Sequence, residues 1–276
     1  YPYSKSPPYV LKIDIRDISR LCLWRYRMKK GIDIYNYERM FEATVRTMRA
    51  SKITEINKKL IEKFYNFCYA NGIGKARVIK YVRTLRQLAE WLKKDFDKAT
   101  KQDIEKVVTA IQQRDDYSEW TKKDFNVALK KFYKWLKGNE DYPPEVKWLK
   151  TRPNMSKVKL PGQDGLLTED DIKKLVEATD HPRNKALISL LYESGCRVGE
   201  IASLQINNVA FDEKGAVLTV IGKTGARRIR VVSSVPYLLT WINSHPLRND
   251  NKSPLWINVG AINNRKHMKY GTIRSV

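Results

Sequence analysis

Between Tyr37 and Leu136 apolar residues recur at three- and four-residue spacing, with few of the two-residue alternations that a half-buried strand requires. Only helical winding gathers such positions onto one face, so this stretch is predicted to be a helical domain. Stop and start signals divide it. One helix is expected over about Ile56–Ala70, ending at Asn71-Gly72. A second, about Ala76–Lys93, sets Val78, Tyr81, Val82, Leu85, Leu88 and Leu92 on one face. A third, Lys101–Gln112, begins after Thr100, whose hydroxyl stands three residues ahead of Asp103 as a cap requires. A fourth, about Glu119–Lys137, buries Phe125, Ala128, Leu129, Phe132 and Leu136. Trp91, Trp120 and Trp135 fall on or beside these apolar stripes and are expected in the core.

The pattern then changes. Around Pro143, Pro144, Pro153 and Pro161 the chain is basic and aperiodic, as an exposed linker would be. Beyond it Thr168, three residues before Asp171, caps a helix reaching about Ala178. Pro182 opens another, which Gly195 stops. A short helix is expected over Gly199–Leu204. The period next switches to two: Ala216–Ile221 and Arg228–Val232 are β-branched runs flanking Gly222-Lys223-Thr224-Gly225-Ala226, which reads as a hairpin. A helix at about Val235–Ser244 and a short strand at Pro254–Ile257 follow. The predicted class is therefore mainly α with a small antiparallel sheet. Its divisions are an extension over 1–36, a helical domain over 37–140, a basic linker over 141–165 and a mixed α/β domain over 166–276.

Charge narrows the partners. Lys and Arg total 53 against 30 Asp and Glu, a formal +23 spread along the chain, and such a surplus attracts polyanions, nucleic acid first. The longest strongly apolar stretch, around Ala186–Tyr192, is too short to span a bilayer. The N-terminus has no signal-peptide pattern. Cys22, Cys68 and Cys196, with His181, His245 and His267, show no metal-ligand spacing, so no metal or other cofactor is expected. The odd cysteine count suits a reduced, intracellular protein.

The segment Leu191–Leu204, LYESGCRVGEIASL, carries the most chemistry. An arginine just past a glycine-stopped helix and opening the next can project a planar fork toward two phosphate oxygens. Glu200, three residues on, can orient Arg197 or the helix. On physics alone a surface salt bridge beside a helix cap fits equally well.

SGCRVGEIASLQINNV resembles the first catalytic box of tyrosine recombinases (the phage-integrase family), roughly T/S-G-x-R-x-x-E-L-x-x-L, in Gly195, Arg197, Glu200 and Leu204. GKTGARRIRV resembles that family's catalytic-lysine hairpin, with Lys223 at the matching place. VIKYVRTLRQLAEWL and WTKKDFNVALKKFYKWL resemble its SAM-like core-binding domain, above all in archaeal integrase-like members. The resemblance covers about residues 37–276. It implies an enzyme that breaks and rejoins double-stranded DNA through a 3′-phosphotyrosyl link, without metal or ATP. Arg197 would clamp the scissile phosphate, Lys223 would protonate the leaving oxygen, and Glu200 would support them. It also implies a homotetramer on paired recombination sites.

The family's second box, H-x-x-R followed by a His or Trp and the nucleophilic Tyr, is not met before Val276. His245-Pro246-Leu247-Arg248 spells the motif but sits at a helix end, and Tyr270 reads as a packing residue. The 276 residues are therefore expected to lack the nucleophile, to bind DNA without cutting it, and to stop within the catalytic domain. A non-catalytic DNA-binding relic or regulator is the alternative, and a type IB-like topoisomerase shares the chemistry. Candidate DNA contacts are Lys75, Arg77, Lys80 and Arg83 on the second helix and Lys122, Lys123, Lys130 and Lys134 on the fourth. Each is either a phosphate contact or a solvated helix face. The hairpin's Arg227, Arg228 and Arg230 either touch backbone phosphate or act as edge-strand charges.

Overall fold

Helix signals in the sequence are local, and the chain folds where they predict. The computed structural model describes residues 33–138, 140–158, 162, 165–222, 225–260 and 264–276. The chain divides into two units, Asn36–Leu166 and a second that joins residues 33–35 to Leu167–Val276. The described residues are mostly helical with one three-stranded antiparallel sheet.

The helical unit opens on Asn36, whose left-handed conformation (φ 55°) is one that asparagine tolerates better than most residues. Helix α1 spans Tyr37–Ala50 and α2 Glu55–Ala70, the latter capped by the Thr54 hydroxyl, which accepts from the Asn57 N–H. Helix α3 covers Lys75–Leu92 and α4 Lys101–Gln112, where Thr100 and Asp103 form the expected capping box. Helix α5, Glu119–Lys137, runs from a Ser118 cap to Gly138 at φ 65°. Aromatics fill the centre: Phe132 lies edge-on to Phe64 at 5.2 Å and 4.8 Å from Phe96, and all three are buried. Asn57 is also buried, and its amide ties the turn after α3, donating to the Lys94 carbonyl and accepting from the Phe96 N–H.

The start of the expected linker is not free. Pro144–Lys147 forms a one-turn helix, α6, and Val146 and Leu149 are buried in the helical core. From α5, Lys130 donates to the carbonyls of Lys147 and Leu149 and Asn126 to that of Lys150. So short a helix leaves no periodicity to read. Trp91 and Trp135 pack against the core as expected, but Trp120, in the first turn of α5, is 50% exposed.

In the second unit α7 (Glu169–Glu177) starts at a Thr168–Asp171 capping box. Helix α8, Pro182–Ser194, ends at Gly195 with φ 57°, and α9 follows at Val198–Ala202. Strands β1 (Val209–Asp212), β2 (Gly215–Gly222) and β3 (Gly225–Val231) form the sheet in that order. Ala216, Leu218 and Val220 of β2 are fully buried, so one face of the sheet lies on the core. Helix α10 spans Val235–Ser244 and α11 Tyr270–Arg274. The expected strand at Pro254–Ile257 is reduced to isolated bridges, Gln205 to Pro254 and Ile257 to His267. Residues 33–35 belong here: Ile34 is buried in this core and its carbonyl accepts from the Tyr270 N–H. Residues 1–32 of the expected extension lie outside the described residues.

Glu193 fastens α8 to the start of α10. Its carboxylate accepts from the N–H groups of Val232, Ser233 and Ser234 at 2.6–2.9 Å and from the Ser234 hydroxyl at 2.6 Å. Burial alone would raise its pKa, but these donors outweigh burial and hold it below the ordinary carboxylate value. That stabilisation is complete above the unfolded-state pKa and lost as pH falls through the folded one. Glu193→Ala is expected to lower stability by about 2 kcal/mol at pH 7, since charged hydrogen bonds contribute about 1.5–3 kcal/mol each when buried and less where water reaches them. Thermal unfolding of variant and parent should differ at neutral pH and converge in acid.

Candidate active site

Gly195 turns the chain out of α8, and Arg197 becomes the residue that precedes α9. Its backbone N–H donates to Glu200 Oε2 at 3.1 Å and its Nη1 to Oε1 at 3.2 Å. The Arg197 side chain is 69% exposed, whereas Glu200 is only 4% exposed. A carboxylate buried that far needs compensating charge and donors. They come mainly from Arg227, whose Nη1 donates to Oε1 at 3.0 Å and Nη2 to Oε2 at 2.7 Å. The Arg227 fork first, and then the backbone and side chain of Arg197, overcome burial and pull the Glu200 carboxyl down to about 2. Glu200 is thus an anion throughout the ordinary pH range, not a proton-transfer group.

The sheet register explains why Arg227, and not its neighbour, reaches Glu200. Arg227 pairs with Val220 and Arg228 with Thr219. Directly paired residues of antiparallel strands share a face, and Val220 is buried, so Arg227 stands on the core side and Arg228 on the other. Gly222 completes the arrangement. A Cβ there would overlap the Glu200 carboxylate, so only glycine lets the strand pass this close. Arg227 Nη2 also lies 3.7 Å from Cys196 Sγ. Lys223 lies outside the described residues.

Other expected site residues separate into three groups. Arg227 is bound to Glu200 and keeps 40% of its side chain exposed. Lys122 is corrected from a candidate DNA contact: it is 7% exposed, and its ammonium is taken by the Gln112 carbonyl and Glu119. Lys130 is half-buried and bound to the two carbonyls already named. Lys75 pairs with Glu38, Lys80 with Asp124, and Lys123 with Asp124 at 3.6 Å. Arg77, Arg83, Lys134 and Arg228 are exposed, with Arg83 Nε also donating to Thr44 Oγ1. Arg230 makes a two-point pair with Asp212 at 2.6 and 2.8 Å.

Sequence reading also missed a basic groove of about 830 Å³ within the helical unit, lined by Lys123, Lys150, Arg152, Lys157 and Trp148. Its cations sit mostly in the stretch read as linker, and their charge run was the available signal.

His245 is 2% exposed. Its Nδ1 accepts from the Leu247 N–H, so Nε2 carries the proton and faces the Pro254 carbonyl at 3.2 Å. Burial lowers its pKa, and the neutral ring packs on Trp241. Tyr270 packs on Tyr35 at 5.0 Å. Among the described residues no group of His, Cys, Asp or Glu is arranged to hold a metal ion, and no helix is long and apolar enough to cross a membrane.

Residues 166–275 match the phage integrase family. The match takes in nearly all of the carboxy-terminal unit. Over 206 residues the chain is 30% identical to tyrosine recombinase XerA of Pyrococcus horikoshii, covering 73% of this chain and 65% of that protein. Over 90 residues it is 39% identical to XerA of Pyrococcus furiosus, covering 32% and 30%. The chain thus spans somewhat less than two thirds of the first relative and under a third of the second. Two solved structures share the fold. One is a lambda integrase tetramer bound to a Holliday junction (TM-score 0.59, 13% identity, 94% of this chain and 73% of that one). The other is XerH recombinase bound to palindromic difH substrate (TM-score 0.51, 18% identity, 83% and 74%).

Proposed function

We propose that this protein is a site-specific DNA recombinase that cleaves and rejoins double-stranded DNA through a 3′-phosphotyrosyl intermediate, using neither metal nor ATP. One observation carries the reading: an exposed arginine, fixed at its base by a buried and fully ionised carboxylate, at the first-box position of a phage-integrase-family domain. A guanidinium placed so can bond non-bridging phosphate oxygens before charge builds on them, and needs no rearrangement as the transition state forms. Arg197 takes that role, Glu200 holds it, and Lys223 protonates the leaving 5′ oxygen. The bond energy stays in the phosphotyrosine, so rejoining needs no nucleotide.

Residues 37–140 act as the DNA clamp and 166–276 as the catalytic domain. Affinity comes from the exposed Arg77, Arg83, Lys134 and Arg228 together with the basic groove, which meet phosphates rather than bases. The lambda integrase neighbour is a tetramer on a Holliday junction, which supports assembly as a homotetramer on paired sites. The protein works in the cytoplasm, on the nucleoid. The alternative, a DNA-binding relic or regulator, draws on the commitment of Tyr270 and His245 to packing.

A nicked duplex that loses a short fragment after cleavage tests the reading. A recombinase leaves a detergent-resistant protein–DNA adduct through a tyrosine. Salt-sensitive binding without any adduct supports the regulator instead. In either case duplex affinity should fall by about 10³-fold or more between ~50 and ~200 mM salt, as it does for interfaces with six or more phosphate contacts. A flat dependence would remove the phosphate-dominated interface.

A further inference from the structure

Glu200 holds two arginines unequally. Arg227 makes a two-point fork at 3.0 and 2.7 Å, while the Arg197 side chain makes one contact at 3.2 Å and stays 69% exposed. We propose that Arg227 is a positioning residue: by occupying both oxygens of Glu200, it keeps the Arg197 guanidinium turned outward and available to a DNA phosphate.

The reasoning starts from the buried carboxylate. An ionised group 4% exposed must have a close cation, and its two oxygens accept one fork well. While Arg227 fills that place, Arg197 is held mainly through its backbone N–H, and its guanidinium has little to gain from turning inward. Without Arg227, the remaining guanidinium bonded to Glu200 among the described residues is that of Arg197. It would swing in to complete the fork and leave the phosphate seat. A second consequence follows from position. Arg227 stands on β3 and Gly222 passes close to Glu200 from β2, so the carboxylate bonds one strand of the hairpin and lies against the other. Lys223 follows Gly222 directly in sequence. Arg197 and strand β3 therefore share one anchor, with β2 against it.

This inference rests on the proposed recombinase reading, and the test separates the two. Duplex DNA affinity at one fixed salt concentration is measured for the parent, Arg197→Ala, Arg227→Gln and the double variant, with thermal unfolding as the check on folding. If Arg227 acts through Arg197, Arg227→Gln loses about as much affinity as Arg197→Ala, up to about tenfold for one phosphate contact. The double variant then loses no more than either single one. Losses that multiply in the double variant would mean that Arg227 touches phosphate itself, which overturns the positioning role and leaves the recombinase reading standing. Unchanged affinity in Arg197→Ala would remove the phosphate seat and this inference with it. Arg227→Lys guards against a Gln variant that unfolds. Its ammonium keeps the charge beside Glu200 but cannot fill both oxygens, so a folded Lys variant should recover part of the binding that Gln loses, and a loss that multiplies with Arg197→Ala overturns the proposal.

Discussion

Arg197→Ala should abolish covalent adduct formation on a nicked duplex while leaving the fold unchanged and DNA binding within about tenfold of the parent. The separation follows from how the residue is used. Its backbone N–H supplies the bond to Glu200 that caps α9, and alanine keeps that bond. The side chain contributes one 3.2 Å contact and is otherwise in solvent, so the unfolding temperature has little reason to move. Phosphate binding loses one contact among many. The cleavage step loses far more, because a preorganised cation acts on charge that develops only in the transition state. Removing one such donor slows comparable reactions by about 10²–10³-fold, and an arginine at a transferring phosphoryl group by about 10³–10⁵-fold. The measurement is the rate of detergent-resistant adduct formation on the nicked duplex, beside a binding titration on uncut duplex. Normal adduct formation by the variant would take Arg197 out of the active site.

How much of this was legible in the sequence depends on the range of each signal. Capping is decided within four residues, so the Thr100–Asp103 and Thr168–Asp171 boxes and the left-handed Gly195 stop could be read directly and stand as expected. The spacing Gly195, Arg197, Glu200 is equally local and can be read directly as well. Contacts that cross the chain were not legible. Arg227 lies 27 residues beyond Glu200, and nothing in GKTGARRIRV tells it from Arg228. Only the pairing of Arg227 with Val220 turns it inward. Lys122 looked like its neighbour Lys123 until α5 placed it against the end of α4. Strand β1 passed unnoticed because its four residues are at most half-buried and carry no alternation.

The run Leu255-Trp256-Ile257 shows the opposite case, a strong signal with an unexpected use. Three consecutive residues with no exposed surface cannot belong to a half-solvated strand, whose side chains alternate between faces. Here they thread through the core of the second unit, joined to it by single bridges and by indole bonds. Trp256 Nε1 donates to the Ile201 carbonyl at 2.7 Å, and Trp241 Nε1 donates to that of Leu255 at 2.8 Å. Ile201 belongs to α9, next to Glu200, so Trp256 supports the floor on which the Arg197–Glu200–Arg227 cluster stands. Trp256→Ala is expected to lower stability by about 3–5 kcal/mol, the range for a fully buried large aromatic, and to leave the Ile201 carbonyl without its indole donor. Trp256→Phe should recover most of the packing but not the hydrogen bond. If the indole bond helps to hold α9, the Phe variant will unfold near the parent temperature yet form adduct more slowly. Equal adduct rates in the Phe variant and the parent would limit Trp256 to filling space. Denaturant unfolding supplies the stability change, and the nicked-duplex assay supplies the rate.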